Sequence, residues 1–411
     1  MDFIREKIKQ KPVNKKRMMM RIGVSALCGL VFSGVVCVVL VLFAPMLQNY
    51  INASAVDEDT QTEINITTET QKDENTEQVI VIPPNMDLSI SDYQTLQDEL
   101  YKIGNETNKS IVTVCGVASE TEWLENAFET GGQGSGVIIA EDENYLYILT
   151  EKRIISDAAH IRVSFVDATG ADATILKEDK NTKLAILTVA KRQISAQTKR
   201  GISVAKIGSS QDVKNGALMI ALGSPLGTNY SILTGNVTSV QNEIATNDKN
   251  YSVFTTDIIA SETGSGVLVN TSGEIVGVVM QSFSGSQDIS TLTAIAVDEL
   301  NAIIELLING KDVPYAGLYV STVTEDISKD YEIPMGVYIK EVAADSPAMH
   351  AGMQSGDVIV AINGEAIITD IDYSDKITRL IPGTTCEITV KRQNGDEYYD
   401  VTCIVEIGVM Q

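Results

Sequence analysis

Residues 255–270 read TTDIIASETGSGVLVN. The stretch ends on an apolar, strand-like run, Gly266-Val-Leu-Val-Asn270, entered through a short turn, Thr263-Gly-Ser-Gly266. A turn of this composition can expose a hydroxyl and aim backbone N–H groups at one point, as an oxyanion site requires. A serine hydroxyl is a weak nucleophile without a positioned base. Whether Ser265 reacts therefore depends on what the rest of the chain supplies.

Around this turn the sequence reads as β structure. From Ile111 to Met280 it runs IVTVCGV, GVIIA, YLYILT, IRVSFV, ATIL, LAILTV, ALMIALG, SILTGNVTSV, YSVFTTD, GVLVN and EIVGVVM, each bounded by turn residues. Many short strands at regular spacing predict a barrel or sandwich. A helix is expected just before, over 91–104, with Ser91 as cap, Gly104 as stop and Tyr93, Leu96, Leu100 and Ile103 on one stripe. A second helix, Val297 to Leu307, closes the region. From about Pro314 a smaller unit follows, with runs GLYVSTV, GVYIKEV, DVIVAING, CEITVKR and YDVTCIVEI and helices expected at 346–350 and 373–380.

The N-terminal part reads differently. Residues 1–21 carry eight Lys/Arg against two acids, and residues 22–47 then run 26 positions without a charge. About 20 apolar residues cross the hydrocarbon core as a helix. A cleaved signal peptide has a shorter apolar region, roughly 7–15 residues, so a retained anchor is the reading. The basic tail stays cytoplasmic, which puts the rest outside the membrane. Residues 57–78 hold eight acids, one lysine and no aromatic; such a stretch cannot bury enough apolar surface to order itself. The expected organisation is thus a tail (1–21), an anchor (22–47), an acidic disordered linker (48–88), a β-rich domain (89–310) and a final domain (314–409). The net charge of −24 argues against a nucleic-acid partner. No metal-ligand spacing or phosphate-cradling loop stands out, and no cofactor is expected: GGQGSG (131–136) leads into a β run, not a helix.

Asn394-Gly395 is a two-residue hairpin signal. A turn at that pair would set Cys386 opposite Cys403, at a spacing a disulfide tolerates; two small apolar residues on one sheet face is the alternative.

The order of motifs resembles the HtrA/DegP-type serine proteases. The matching stretches are GQGSGVIIA (132–140), YILT (147–150), LAIL (184–187), ALGSPLG (221–227), ILTGNVTSV (232–240), TTD (255–257), GSGVLVN (264–270) and GEIVGVV (273–279), then YAGL (315–318) and SPAMHAGMQSGDVIVAING (346–364). The resemblance spans roughly 91–407 and implies a mainly β fold: a trypsin-like double β-barrel followed by an α+β PDZ domain. It also implies a homo-trimer, for which no independent sequence signal exists.

The family hydrolyses peptides with a Ser-His-Asp triad. Its histidine follows Leu-Thr-Asn-x; here Leu149-Thr-Glu-Lys is followed by Arg153. Its aspartate precedes Leu-Ala-Val-Leu; here Lys183 precedes Leu184-Ala-Ile-Leu187. Its Gly-Asn-Ser-Gly-Gly-Pro-Leu becomes Thr263-Gly-Ser-Gly-Val-Leu268, one residue short, so Ser265 is a relic or a displaced nucleophile. Arginine stays protonated and cannot act as a base. Of the two histidines, His160 sits at a strand edge and His350 in a surface helix, where recognition of a peptide side chain is one role open to it.

The last domain keeps its binding parts. The resemblance places the carboxylate-binding loop at Tyr315, Ala316, Gly317 and Leu318, with the helix around 373–380 as the groove's other wall. PDZ domains take a peptide as an added strand and hold its terminal carboxylate on backbone N–H groups. The implied function is a membrane-anchored, extracytoplasmic pseudoprotease that binds peptides or protein C-termini. The alternatives are a serine endopeptidase using Ser265 with a non-standard base such as Lys183, and a structural envelope protein without peptide binding.

Overall fold

The computed structural model describes residues 89–117, 133–156, 158–284, 290–395 and 397–410. The basic tail, the apolar run 22–47 and the acidic stretch 48–88 lie outside the described residues. Among the described residues no helix is long and apolar enough to cross a membrane.

Two closed six-stranded barrels carry the first domain. The first comprises β1 (Ile111–Val117), β2 (Gln133–Glu141), β3 (Tyr145–Glu151), β4 (His160–Ser164), β5 (Gly170–Asp179) and β6 (Leu184–Ala190). They close in the order β1-β2-β3-β6-β5-β4. The second comprises β7 (Leu218–Ser224), β8 (Ser231–Thr246), β9 (Lys249–Ile259), β10 (Ser265–Val269), β11 (Ile275–Met280) and β12 (Thr291–Ala296). It repeats the order strand for strand, β7-β8-β9-β12-β11-β10. β12 is not among the runs that stand out in the sequence, because threonines dilute its apolar character.

Strand alternation explains why the central runs are apolar throughout. Side chains of successive residues point to opposite faces, and in β6 both faces are buried: Ala185, Leu187 and Val189 fill the first barrel, while Leu184 and Ile186 pack between the barrels. In β10, Leu268 faces the second barrel's core and Val267 and Val269 face the seam. Closure also demands close backbone approach. Gly266 has φ 137°, and a Cβ there would lie 1.9 Å from the Leu222 carbonyl oxygen.

Helix α1 (Ile90–Thr107) starts before the expected Ser91, since the Ser89 N–H donates to the Asp92 carboxylate at 2.8 Å and Ser89 is the cap. Its stripe is only half used: Leu100 is buried, but Tyr93 and Leu96 are exposed. The short α2 (Lys152–Ile155) and α3 (Ala196–Gly201) interrupt the first barrel and its exit. Helix α4 (Val297–Ile308) buries Leu300, Ile303 and Leu307 against both barrels.

The C-terminal domain is a sheet ordered β13-β14-β15-β17-β18 with β16 paired to β15. Its strands are β13 (Leu318–Val323), β14 (Gly336–Val342), β15 (Val358–Ile362), β16 (Glu365–Ala366), β17 (Thr385–Asn394) and β18 (Glu397–Glu406). Helices α5 (Glu325–Tyr331), α6 (Pro347–His350) and α7 (Asp370–Thr378) complete it. β13 is an edge strand, as peptide addition requires.

The expected Cys386–Cys403 disulfide is overturned. Both cysteines are free and buried. Asn394 pairs with Glu397, so Asn394 belongs to the strand and the turn sits one residue later, at Gly395 with φ 66°. That moves the register by two: Cys386 faces Val405 and Cys403 faces Ile388.

Two outcomes follow. Alkylation of the denatured protein should give the same mass with or without prior reductant. Gly266→Ala should cost about 2–5 kcal/mol, from left-handed backbone strain and overpacking together, read as a fall in the denaturant midpoint.

Candidate functional site

Ser265 is the first residue of β10, already in register with Ser224 on β7 and Met280 on β11. The backbone expected to form an exposed nucleophile turn is therefore part of the barrel ladder. The residue is 1% exposed. The Ser135 N–H on β2 donates to Ser265 Oγ at 2.9 Å, and the Ser135 carbonyl accepts from Thr150 Oγ1 at 3.1 Å. Its hydroxyl is thus tied into the seam between the barrels. Among the described residues neither Arg153 nor Lys183 hydrogen-bonds it.

Arg153 lies on α2, at the position expected for the general base. Its guanidinium grips the Glu151 carboxylate with Nε at 2.8 Å and Nη2 at 3.1 Å. Nη2 also donates to the carbonyls of Thr263, at 2.9 Å, and Gly264, at 3.1 Å, across the cleft. Glu151 is almost wholly buried. Burial pushes its carboxyl above the ordinary carboxylate range, while Arg153 and then the charge of Lys183 pull it back.

The consequence for catalysis comes from peptide geometry. In a planar trans peptide the C=O and N–H point in opposite directions. The 263–264 and 264–265 peptides offer their carbonyls to Arg153, so their N–H groups point away from it. The Gly264 N–H is accordingly spent on the Ser261 carbonyl at 2.8 Å. An oxyanion site needs converging donors; this turn presents converging acceptors, and a cation fills them.

Lys183 occupies the turn before β6 with φ 61°. Its carbonyl accepts from the Lys152 N–H at 2.8 Å, and its side chain is exposed. The structure therefore brings together Arg153, Glu151 and the turn before Ser265, with Lys183 acting on Glu151 only through charge. His160 opens β4, opposite Val117, and His350 ends α6 on the surface; neither belongs to the cleft.

The second site is the loop Tyr315–Leu318. Gly317 has φ 91°, and a Cβ there would meet Ser346 Cβ at 2.3 Å. The Ala316 and Gly317 carbonyls are held by the N–H groups of Ala348 and Ala343, both at 2.9 Å. With the carbonyls turned that way, three N–H groups converge on one point. That point is occupied by the Asp248 carboxylate, from the turn between β8 and β9. Ala316 and Gly317 donate to Oδ2 at 2.8 Å each, and Leu318 donates to Oδ1 at 3.0 Å. Tyr373 of α7 adds its hydroxyl at 2.7 Å. Tyr315 contributes no N–H; its own donates to Gly408 at 3.0 Å. Burial pushes the Asp248 carboxyl up, against the downward pull of Tyr373 and the three N–H groups.

Asp248 is the residue the sequence did not single out for this site; Tyr373 lies in the helix expected as the groove's other wall, and the structure adds its hydroxyl as a donor. The run Thr246-Asn-Asp-Lys249 between two β runs has the composition of a turn, but nothing local links it to residue 316.

Two paired barrels of identical topology and an edge-stranded sheet with an N–H nest define a trypsin-like peptidase domain joined to a PDZ domain. The trypsin-like peptidase domain family matches residues 134–278 and the PDZ domain family residues 314–403. The chain is homologous to the DegP/HtrA serine proteases. It is 31% identical over 280 residues to the "probable periplasmic serine endoprotease DegP-like" of Pseudomonas savastanoi pv. phaseolicola, covering 67% of this chain and 56% of that one. It is 30% identical over 291 residues to the "serine protease Do-like HtrA" of Bacillus subtilis, covering 65% of this chain and 62% of that one. The alignments thus span a little over half of these relatives. Among solved structures, the HtrA-type protease AlgW shares the fold at TM-score 0.54 and 20% identity, over 76% of this chain and 99% of that one. The serine endoprotease from Yersinia pestis does so at TM-score 0.52 and 24% identity, over 76% and 98%.

Removing one partner of a buried ion pair strands the other's charge. Arg153→Met should cost about 2–3 kcal/mol, below the fully buried range because Arg153 is partly solvated. Adding Glu151→Gln should recover at least half of that loss. The check is a double-mutant cycle by urea unfolding.

Proposed function

We propose that this chain is an HtrA-like pseudoprotease. It is anchored in the membrane through residues 22–47, carries its domains on the extracytoplasmic side, and binds peptides or protein C-termini through its PDZ domain. Its place is envelope protein quality control or the regulation of a true protease. One observation carries the loss of chemistry: Arg153 stands in the base position with its guanidinium committed to Glu151 and to the Thr263 and Gly264 carbonyls. That single contact removes the base and fills the place of the oxyanion donors.

Loss of one triad member costs several powers of ten in rate, and residual catalysis then rests on binding and the oxyanion hole. Here the residual source is also compromised, because the turn offers carbonyls. Lys183 as an alternative base must come within hydrogen-bond reach of Ser265, but its side chain is exposed while Ser265 is buried. Support for ligand binding is the three-donor nest at Ala316–Leu318, which suits a carboxylate. The periplasmic relatives favour the extracytoplasmic placement.

Incubated with a fluorophosphonate probe and an unfolded protein substrate, the full chain should show neither labelling nor cleavage. Labelling that disappears in Ser265→Ala would sink the pseudoprotease reading. The double substitution Arg153→His with Lys183→Asp should also remain inactive against the same substrate, because it restores the side chains of the triad without rebuilding the shortened serine turn.

A further inference from the structure

The carboxylate nest of the PDZ domain is already filled, and by this chain's own barrel. Asp248 sits at the tip of the β8–β9 hairpin with φ 63°, a conformation that aspartate tolerates better than most residues. Its carboxylate takes three N–H groups and the Tyr373 hydroxyl. Its own N–H donates to the Leu318 carbonyl at 2.7 Å. A carboxylate in the nest and an N–H on the edge strand are what the last residue of a bound peptide would offer. The imitation continues one step along β13, where Asn250 Nδ2 donates to the Val320 carbonyl at 3.3 Å and to Asp370 of α7 at 2.7 Å.

Beyond that step the hairpin leaves the groove. A cavity of about 450 Å³ opens there, lined by Lys249, Asn250, Asp370, Ile371, Ser374 and Asp375 among others. The docked hairpin also leaves Asn247 Oδ1 and Asn250 Oδ1 without a protein partner, although the amide nitrogens of both residues reach the PDZ domain, so its fit is incomplete where it turns away.

We propose that Asp248 is a resident ligand of the PDZ domain, and that an external chain with a free C-terminal carboxylate binds only by displacing it. This rests on the peptide-binding reading above, and adds that the site is regulated by the peptidase-like domain. The apparent affinity of an external peptide then falls by the fraction of molecules in which the nest is free. Removing Asp248 frees the nest without touching any of its donors.

The test uses the full chain and has two readouts. Hydrogen exchange at the amides of Ala316, Gly317 and Leu318 should be slow in the native chain and should accelerate at least tenfold in Asp248→Ala. Fluorescein-labelled decapeptides randomised at their last three positions should bind Asp248→Ala at least tenfold more tightly than the native chain, by anisotropy, and the same pool amidated at its C-terminus should not bind. Fast exchange at these amides in the native chain overturns the resident-ligand proposal without needing any variant. Accelerated exchange in Asp248→Ala with no gain in peptide binding upholds Asp248 as occupant and overturns the peptide-binding reading instead. Equal peptide affinity in both proteins, each with measurable binding, overturns the competition.

Discussion

A carboxylate buried between two barrels needs a cation, and at Glu151 that need is met by Arg153. Much of the geometry of this cleft follows from that pair. Once the guanidinium is drawn to Glu151, its remaining donor capacity reaches the turn before Ser265 and captures two carbonyls. Planarity of the peptide then turns the corresponding N–H groups away. The base position, the orientation of the turn and the cross-cleft contact are one coupled arrangement. Arg is suited to it because its planar fork serves several acceptors at once.

The same logic, with the charges reversed, operates between the peptidase-like domain and the PDZ domain. There the protein presents converging N–H groups, and the anion that satisfies them comes from a neighbouring hairpin. A nest of three amides left buried and empty would be costly. Asp248 removes that cost within the chain, at the expense of desolvating a carboxylate. The two domains are thus joined through the N–H nest, which makes the state of that nest a property of the whole molecule.

Much of the architecture is legible in the sequence because periodicity and turn chemistry are local. Each of the eleven β runs from Ile111 to Met280 overlaps a strand, and the helix ending this region begins at Val297 as expected. Arg153 and Lys183 also stand out in the sequence, since they are read from residue identity at motif positions. The Cys386–Cys403 pairing failed for a local reason: Asn394 joined the strand, and a shift of one residue in a two-residue turn moves every cross-strand partner by two. The half-exposed stripe of α1 shows the opposite limit, because periodicity announces an apolar face without saying how much of it is covered.

The sequence by itself determined the mainly β class and the succession of a peptidase-like and a PDZ domain, since each depends on neighbouring residues and their chemistry. Only the tertiary structure decided what Arg153 does, where Ser265 points and what fills the Ala316–Leu318 nest. Those answers depend on contacts between residues 110 and 68 positions apart, Arg153 with Thr263 and Asp248 with Ala316. No local propensity encodes such contacts; chain closure into barrels, and the need to pair each buried charge, selects them.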